Sequence, residues 1–231
     1  MSVSSVTNVK QFYKVLDHGF IEVIDVMGSD SDIVRAARMS TSGDISTPER
    51  DEKLIKYLMK HRHTSPFEMC EIKLKAKMPI FVARQWLRHR TANVNEFSAR
   101  YSKMDAEFYI PDSLYKQSTS NHQGSNTDSL VENSDELITQ MKKSSECQFE
   151  LYNKLIDAGV SRETARIILP LNTYTTVLWK IDLHNLFHFI KLRNAPESQY
   201  EIREYAKIIE EKILPNWVPI AYSAWKEYNR K

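Results

Sequence analysis

The sequence predicts an α+β fold, a central mostly antiparallel sheet flanked by helices, in a single domain spanning residues 1–231. Three observations carry that expectation. Ile72, Leu74, Ala76 and Met78 alternate strictly with Lys73, Lys75 and Lys77, the pattern of a strand with one buried face. Residues 20–26 and 173–179 are runs rich in β-branched and aromatic residues. Around these lie segments whose apolar residues recur at helical spacing behind good N-caps.

Residues 20–26, FIEVIDV, read as a strand that closes in a turn at Met27-Gly28. Ser29 or Asp30 then caps a helix through Met39, with Ile33, Val34, Ala36 and Ala37 packing inward. Arg35 and Arg38 share a face of it and read at least as readily as plain surface arginines. Thr47-Pro48-Glu49 starts the next helix, whose stripe is Leu54, Ile55, Leu58 and Met59 and which ends near His61. Ser65-Pro66 breaks the following HRHTSPFE, leaving His61, His63, Ser65 and Glu68 close together as a metal site or a polar helix end.

After the alternating strand, Pro79 stands in the first turn of an amphipathic helix with Ile80, Phe81, Ala83 and Leu87 on one face and Arg84, Gln85 and Arg88 on the other. Thr91 to Asn95 read as a loop, followed by an extended Phe97 to Tyr101 that presents Ser98 and Arg100 on one side. Residues 113–135, rich in Ser, Asn, Gln, Thr and Asp, read as a mobile surface loop, either a lid or an insertion. Leu137 to Ala158 is helical and stops at Gly159; Ser161 caps a short helix that carries Arg166 and ends before Pro170. Asp182 caps a helix with an apolar face of Leu183, Leu186, Phe187 and Ile190, and Arg193 follows it. Helices over 197–213 and 216–228 close the chain.

The chemistry is concentrated in residues 79–102, PIFVARQWLRHRTANVNEFSARYS. Arginine forks match phosphate, serine hydroxyls add donors, and Asn95 can donate and accept as a base edge requires. Glu96 partly cancels so basic a field, which suits a ligand with N–H donors of its own. The set points to a phosphorylated heterocycle, against the bland alternative of a solvated basic helix and turn.

Composition narrows the class. Thirty-two Lys and Arg against thirty Asp and Glu leave a net charge of +2. A long electrostatic footprint for nucleic acid is therefore not expected. Cys70 and Cys147 form no CxxC and predict no disulfide, as in a reduced cytoplasmic chain. The start lacks an apolar core of signal-peptide length and no long apolar run follows, so neither secretion nor a membrane is expected. Five scattered glycines build neither a GxGxxG nor a GxxxxGK[ST] site, so a dinucleotide would have to be held by arginine, histidine and serine side chains. His184 and His188 have zinc-compatible spacing but no HExxH and no placed third ligand; no metal site is assigned.

Arg88, His89 and Arg90, then seven residues, then Ser98, Ala99 and Arg100 match the signature of the flavin-dependent thymidylate synthases, Arg-His-Arg, any seven, Ser-x-Arg. The flanking PIFVARQW, NEFSARYS and EFYIP look like the same family, and the resemblance runs from Gly19 to about Arg193. One fuller form of the motif has Ser where Asn93 stands here.

The resemblance implies an FAD-dependent methyltransferase that converts dUMP to dTMP, with methylenetetrahydrofolate as carbon donor and NADPH as reductant. Carried across position by position, it implies that Arg193 is catalytic and polarises the N3 edge of the pyrimidine. Gln85, Trp86, Leu87, Arg88, Glu96, Phe97, Ser98, Ala99, Arg100 and Arg166 would bind dUMP, with Arg100 and Arg166 on the phosphate. Ser65, Arg88, His89, Arg90, Glu96, Asp182, His184 and His188 would hold FAD. It further implies a homotetramer with active sites between subunits. Neither cysteine stands beside the basic stretch, so no thiol nucleophile is expected. Two other classes remain as alternatives. One is a non-catalytic nucleotide- or RNA-binding module stacking bases on Trp86, Phe97 and Tyr101; the other is a zinc hydrolase built on His61, His63, His184 and His188.

Overall fold

The structure, a computed structural model, describes residues 11–39, 46–119 and 124–228. Its frame is a five-stranded sheet built from β1 (Phe12–Val15), β2 (Gly19–Met27), β3 (Glu71–Pro79), β4 (Ala92–Glu96) and β7 (Tyr174–Asp182). The strands are wholly antiparallel and lie in the order β1-β2-β3-β7-β4. The alternating run became the middle strand. Ile72, Leu74, Ala76 and Met78 are fully buried while the lysines between them face outward. Lys180, opposite Lys73 in the ladder, pairs with Glu71 at 2.5 Å, so the polar face is zipped by charge where the other is packed.

Helices cover the apolar face: α1 (Asp30–Arg38), α2 (Pro48–Lys60), the short α3 (Ser65–Glu68), α4 (Ile80–Trp86), α7 (Leu183–Arg193), α8 (Tyr200–Ile208), α9 (Leu214–Trp217) and α10 (Pro219–Tyr228). Thr47 accepts from the Arg50 N–H, and Asp182 accepts from the backbone and side-chain amides of Asn185, both as N-caps. At α1 the cap differs from expectation. Ser29 makes no side-chain cap bond, and the Asp30 carboxylate instead accepts from the Ile220 and Ala221 N–H groups at 2.9 Å each, capping α10. Burial raises the pKa of Asp30 despite those two bonds. Gly28 turns β2 into α1 at φ +81, where a Cβ would meet the Cys70 sulfur at 2.8 Å.

The main core lies between sheet and helices and is centred on Trp86, Trp179, Phe189 and Tyr205. A smaller second core, Met104, Phe149, Tyr152 and Ala165, sits under α5 (Ser134–Asp157) and α6 (Arg162–Ala165). Gly159, at φ +85, ends α5 as predicted. Between α8 and α9 the helix widens into a π turn over Ile209–Ile213, placing the buried Glu210 carboxylate 2.6 Å from the Asn194 side-chain amide.

Four expectations are corrected. Pro79 is not inside the first turn of α4; it ends β3 with extended backbone and caps the helix. The loop expected at Thr91 to Asn95 is edge strand β4, held in register on β7, and the extended segment expected at Phe97 to Tyr101 is a turn closed by the Tyr101 and Ser102 N–H groups on the Ser98 carbonyl. Residues 113–135 contain a hairpin, β5 (Tyr115–Gln117) with β6 (Ser125–Leu130), and the first two residues of α5; residues 120–123 of that stretch lie outside the described residues. Strand β1 was not expected from the sequence. Among the described residues no helix is long and apolar enough to cross a membrane. Both cysteines are free.

Candidate active site

The α4 helix presents Val82, Ala83 and Trp86 to the core and leaves Arg84 exposed and Gln85 half-buried, with Arg88 exposed just past its C-terminal end. Trp86 differs from its neighbours: its indole is fully buried, with rings of Trp179, Phe189 and Tyr205 at 5.1, 4.7 and 6.0 Å, so the side chain anchors the helix in the core. Leu87 is half-buried. Gln85 donates to Gln199 Oε1 at 2.5 Å, which brings the residue before α8 to the polar face of α4.

Arg193, at the end of α7, reaches back to the same place. Its Nε–H donates to His89 Nε2 at 3.0 Å and its Nη2 donates to the Gln85 carbonyl at 2.9 Å. Burial, and then the charge of Arg88, lower the pKa of Arg193. His89 is itself buried, its ring edge-on to Phe189 at 4.9 Å and 5.9 Å from that of His188. Burial first, then the charges of Arg193 and His188, push its pKa down to about 4. Gln85, Arg88, His89 and Arg193 thus form one group.

A second group stands on the other core. The turn after β4 is shaped by Ser98, whose Oγ accepts from the Arg100 N–H. The Arg100 guanidinium pairs with Glu163 of α6 at 2.8 and 2.9 Å, and Arg162 donates to the Tyr101 carbonyl. Arg166, beginning the 3-10 turn that follows α6, is exposed. Ala99 packs on the second core and Phe97 is exposed. Glu96 accepts from Thr175 Oγ1 at 2.8 Å across the β4–β7 ladder. Among the described residues no hydrogen bond or ion pair joins this group to the first.

The third feature is a cavity of about 400 Å³ between α2, α3, α7 and α10. Leu58, Phe67, Phe187 and Trp225 give it apolar walls; Arg62, His63, His184, His188 and Lys191 supply charge and hydrogen-bonding groups. A neighbouring cavity of about 830 Å³ shares Leu58, His63 and Thr64 with it and adds Arg35, Asp32 and Ser65. The turn His63-Thr64-Ser65 divides the two. Of the residues expected here, His184, His188 and Ser65 line a cavity. Asp182 spends both carboxylate oxygens on capping α7, and Arg90 is exposed beside the buried His89. Among the described residues no group of three or more His, Cys, Asp or Glu is placed to hold a metal ion.

Sequence reasoning did not find Lys191, Arg62, Gln199 or Glu163. Lys191 had a signal, since 184, 188 and 191 fall on one helical face. Gln199 had none.

Comparison with known proteins agrees with this architecture. The family model Thy1, thymidylate synthase complementing protein, matches residues 22–220. A flavin-dependent thymidylate synthase of Wolbachia pipientis wMel is 56% identical over 218 residues, 94% of this chain and 76% of that protein. One from Thermus thermophilus is 51% identical over 214 residues, 93% of this chain and 78% of that protein. Among solved structures, the UMP/dUMP methylase PolB of Streptomyces cacaoi bound with 5-Br dUMP superposes with a TM-score of 0.83 at 30% identity, covering 94% of this chain and 99% of that one.

Proposed function

Because this chain belongs to the family of thymidylate synthase complementing proteins, we propose that it is a flavin-dependent thymidylate synthase converting dUMP to dTMP. Methylenetetrahydrofolate would give the carbon and NADPH the reducing power, through FAD. The observation that carries this reading is the Arg193 clamp beside His188: a cation oriented by two uncharged acceptors, next to a cavity with apolar walls and a basic, histidine-rich rim.

The residues fit FAD. Apolar walls of Phe187, Phe67 and Trp225 suit a planar ring system, and Arg62, His63, His184, His188 and Lys191 can donate to its anionic linkage. Ser65, on the adjoining cavity, and the exposed Arg88 and Arg90 extend that set. When bound, FAD supplies the hydride that completes the new methyl group. We assign dUMP to Gln85, Arg88 and Arg193 at its base, and to Ser98, Arg100 and Arg166 at its phosphate, with Glu96 beside them. Arg193 would stabilise negative charge that builds at the N3 edge of the pyrimidine, raising the nucleophilicity of C5 without a covalent bond to the protein.

A thiol route lacks a suitable thiol. Cys70 is buried against the Ser29 carbonyl, and burial with the nearby Asp32 and Asp30 pushes its pKa up to about 12. Cys147 stands exposed on α5.

That the Arg193 group is built on one core and the Arg100 group on the other supports a site completed between subunits of a homotetramer. We place the protein in the cytoplasm, where its two free cysteines stay reduced. The test is an absorbance spectrum of the purified protein, followed by dTMP formation from dUMP, methylenetetrahydrofolate and NADPH. Flavin bands and turnover are expected; a folded protein that neither carries nor takes up FAD sinks the reading.

A further inference from the structure

We propose that His89 is a positioning residue that holds the Arg193 guanidinium in its working orientation; this rests on the function proposed above. The geometry admits one placement of protons. A guanidinium offers donors only, so the Arg193 Nε–H, 3.0 Å from His89 Nε2, must donate, and Nε2 must be the bare nitrogen of a neutral ring. The hydrogen of that ring then sits on Nδ1.

The acceptor is itself fixed. The His89 backbone N–H donates to the Trp86 carbonyl at 3.1 Å, and its ring lies edge-on to Phe189. Trp86 in turn is locked in the main core. With the Gln85 carbonyl as second acceptor, two points define the guanidinium plane, and the Nη1 group is left for a ligand. Neither acceptor carries charge. A carboxylate in the same place would orient the arginine equally well but would also absorb much of the field that the reaction needs. Burial beside Arg193 and His188 keeps His89 neutral at ordinary pH, which preserves its lone pair for this bond.

The helix that carries Arg193 is held by other means. Its Leu186, Phe187, Phe189 and Ile190 are buried in the main core, and the Asn194 side chain is tied to Glu210. Loss of the His89 acceptor therefore frees the side chain of Arg193 and leaves α7 in place.

The experiment compares His89→Phe, which keeps a ring against Phe189 but removes the acceptor, with His89→Gln, whose amide oxygen can return one near the position of Nε2. Flavin content, melting temperature, kcat and KM for dUMP are measured for both and for wild type. His89→Phe should retain its flavin and melting temperature, lose at least about tenfold in kcat, and keep KM within about threefold; His89→Gln should recover kcat to within about threefold of wild type. Wild-type kcat in the Phe variant overturns the inference, and so does a Gln variant as slow as the Phe variant. A Phe variant that sheds flavin or melts early also overturns it, because His89 would then serve the cofactor or the fold. Absence of wild-type turnover overturns the proposed activity and this inference together, whereas an active wild type with an unaffected Phe variant removes only the role of His89.

Discussion

Arg193 and Arg100 are both partly or largely exposed guanidinium groups at the edge of a core, yet they are held in opposite ways. Arg193 is gripped by a carbonyl and a neutral imidazole on the main core, so its orientation is set while its charge remains uncompensated. Arg100 is neutralised by Glu163 in a pair whose side chains are 53% and 63% exposed. Such exposed pairs are worth only ~0–1 kcal/mol, so an incoming dianion can compete for the arginine. The first arrangement suits a charge that must be in place before the chemistry; the second suits a ligand anchor that can exchange partners.

The largest effect that this contrast predicts is at Arg193. Arg193→Ala should cut dTMP formation by roughly 10²–10³-fold or more while the purified protein stays yellow, as loss of one preorganised electrostatic donor does elsewhere; colourless protein that still turns over would erase the distinction. Arg100→Ala should weaken dUMP binding at least tenfold, ~1.4 kcal/mol or more, by calorimetry. Unchanged affinity would mean that the second region is solvated charge.

Acid should act on the first region. The folded chain protonates His89 only near 4, against an ordinary value of 6.5, so between these two values the unfolded chain binds more protons. Stability contributed by this group is thus present above 6.5 and is lost as the pH falls toward 4. Urea midpoints measured across that interval should fall less steeply for His89→Phe than for wild type; parallel curves would contradict a buried neutral ring. A smaller change is expected at the partner of Arg100: Glu163→Gln should leave dUMP affinity unchanged or raise it by less than about threefold, since it releases an exposed arginine. A large loss would show that Glu163 orients Arg100 as His89 orients Arg193. Least of all should the thiols matter. Cys70→Ala with Cys147→Ala should still make dTMP, and a folded but inactive double variant would restore a sulfur nucleophile.

How much of this was legible depended on whether a segment's pattern was set locally. Strand β3 was readable because its two faces alternate between core and water, and α7 because Asp182 precedes an apolar stripe. Strand β4 was not, since ANVNE has weak strand preference and is extended only because it pairs along β7. The hairpin β5–β6 is likewise mostly polar, and its two strands pair with each other in a separate two-stranded sheet. Within the candidate site, the motif from Arg88 to Arg100 hid its division between two cores. Trp86 sits among ligand-type residues in the chain and among aromatic rings in space. The bond between Arg193 and His89 joins residues 104 positions apart, and no spacing rule reaches that far.

The π turn at Ile209–Ile213 has a consequence for the order in which the molecule can mature. Glu210 inside that turn ties down Asn194, the immediate neighbour of Arg193, while Asp30 near the other end of the chain caps α10. The arginine therefore reaches its final setting only after helices from the last quarter of the polypeptide have docked. During synthesis on the ribosome, reactive competence arrives late, after the last strand of the sheet that frames it, β7, has been translated.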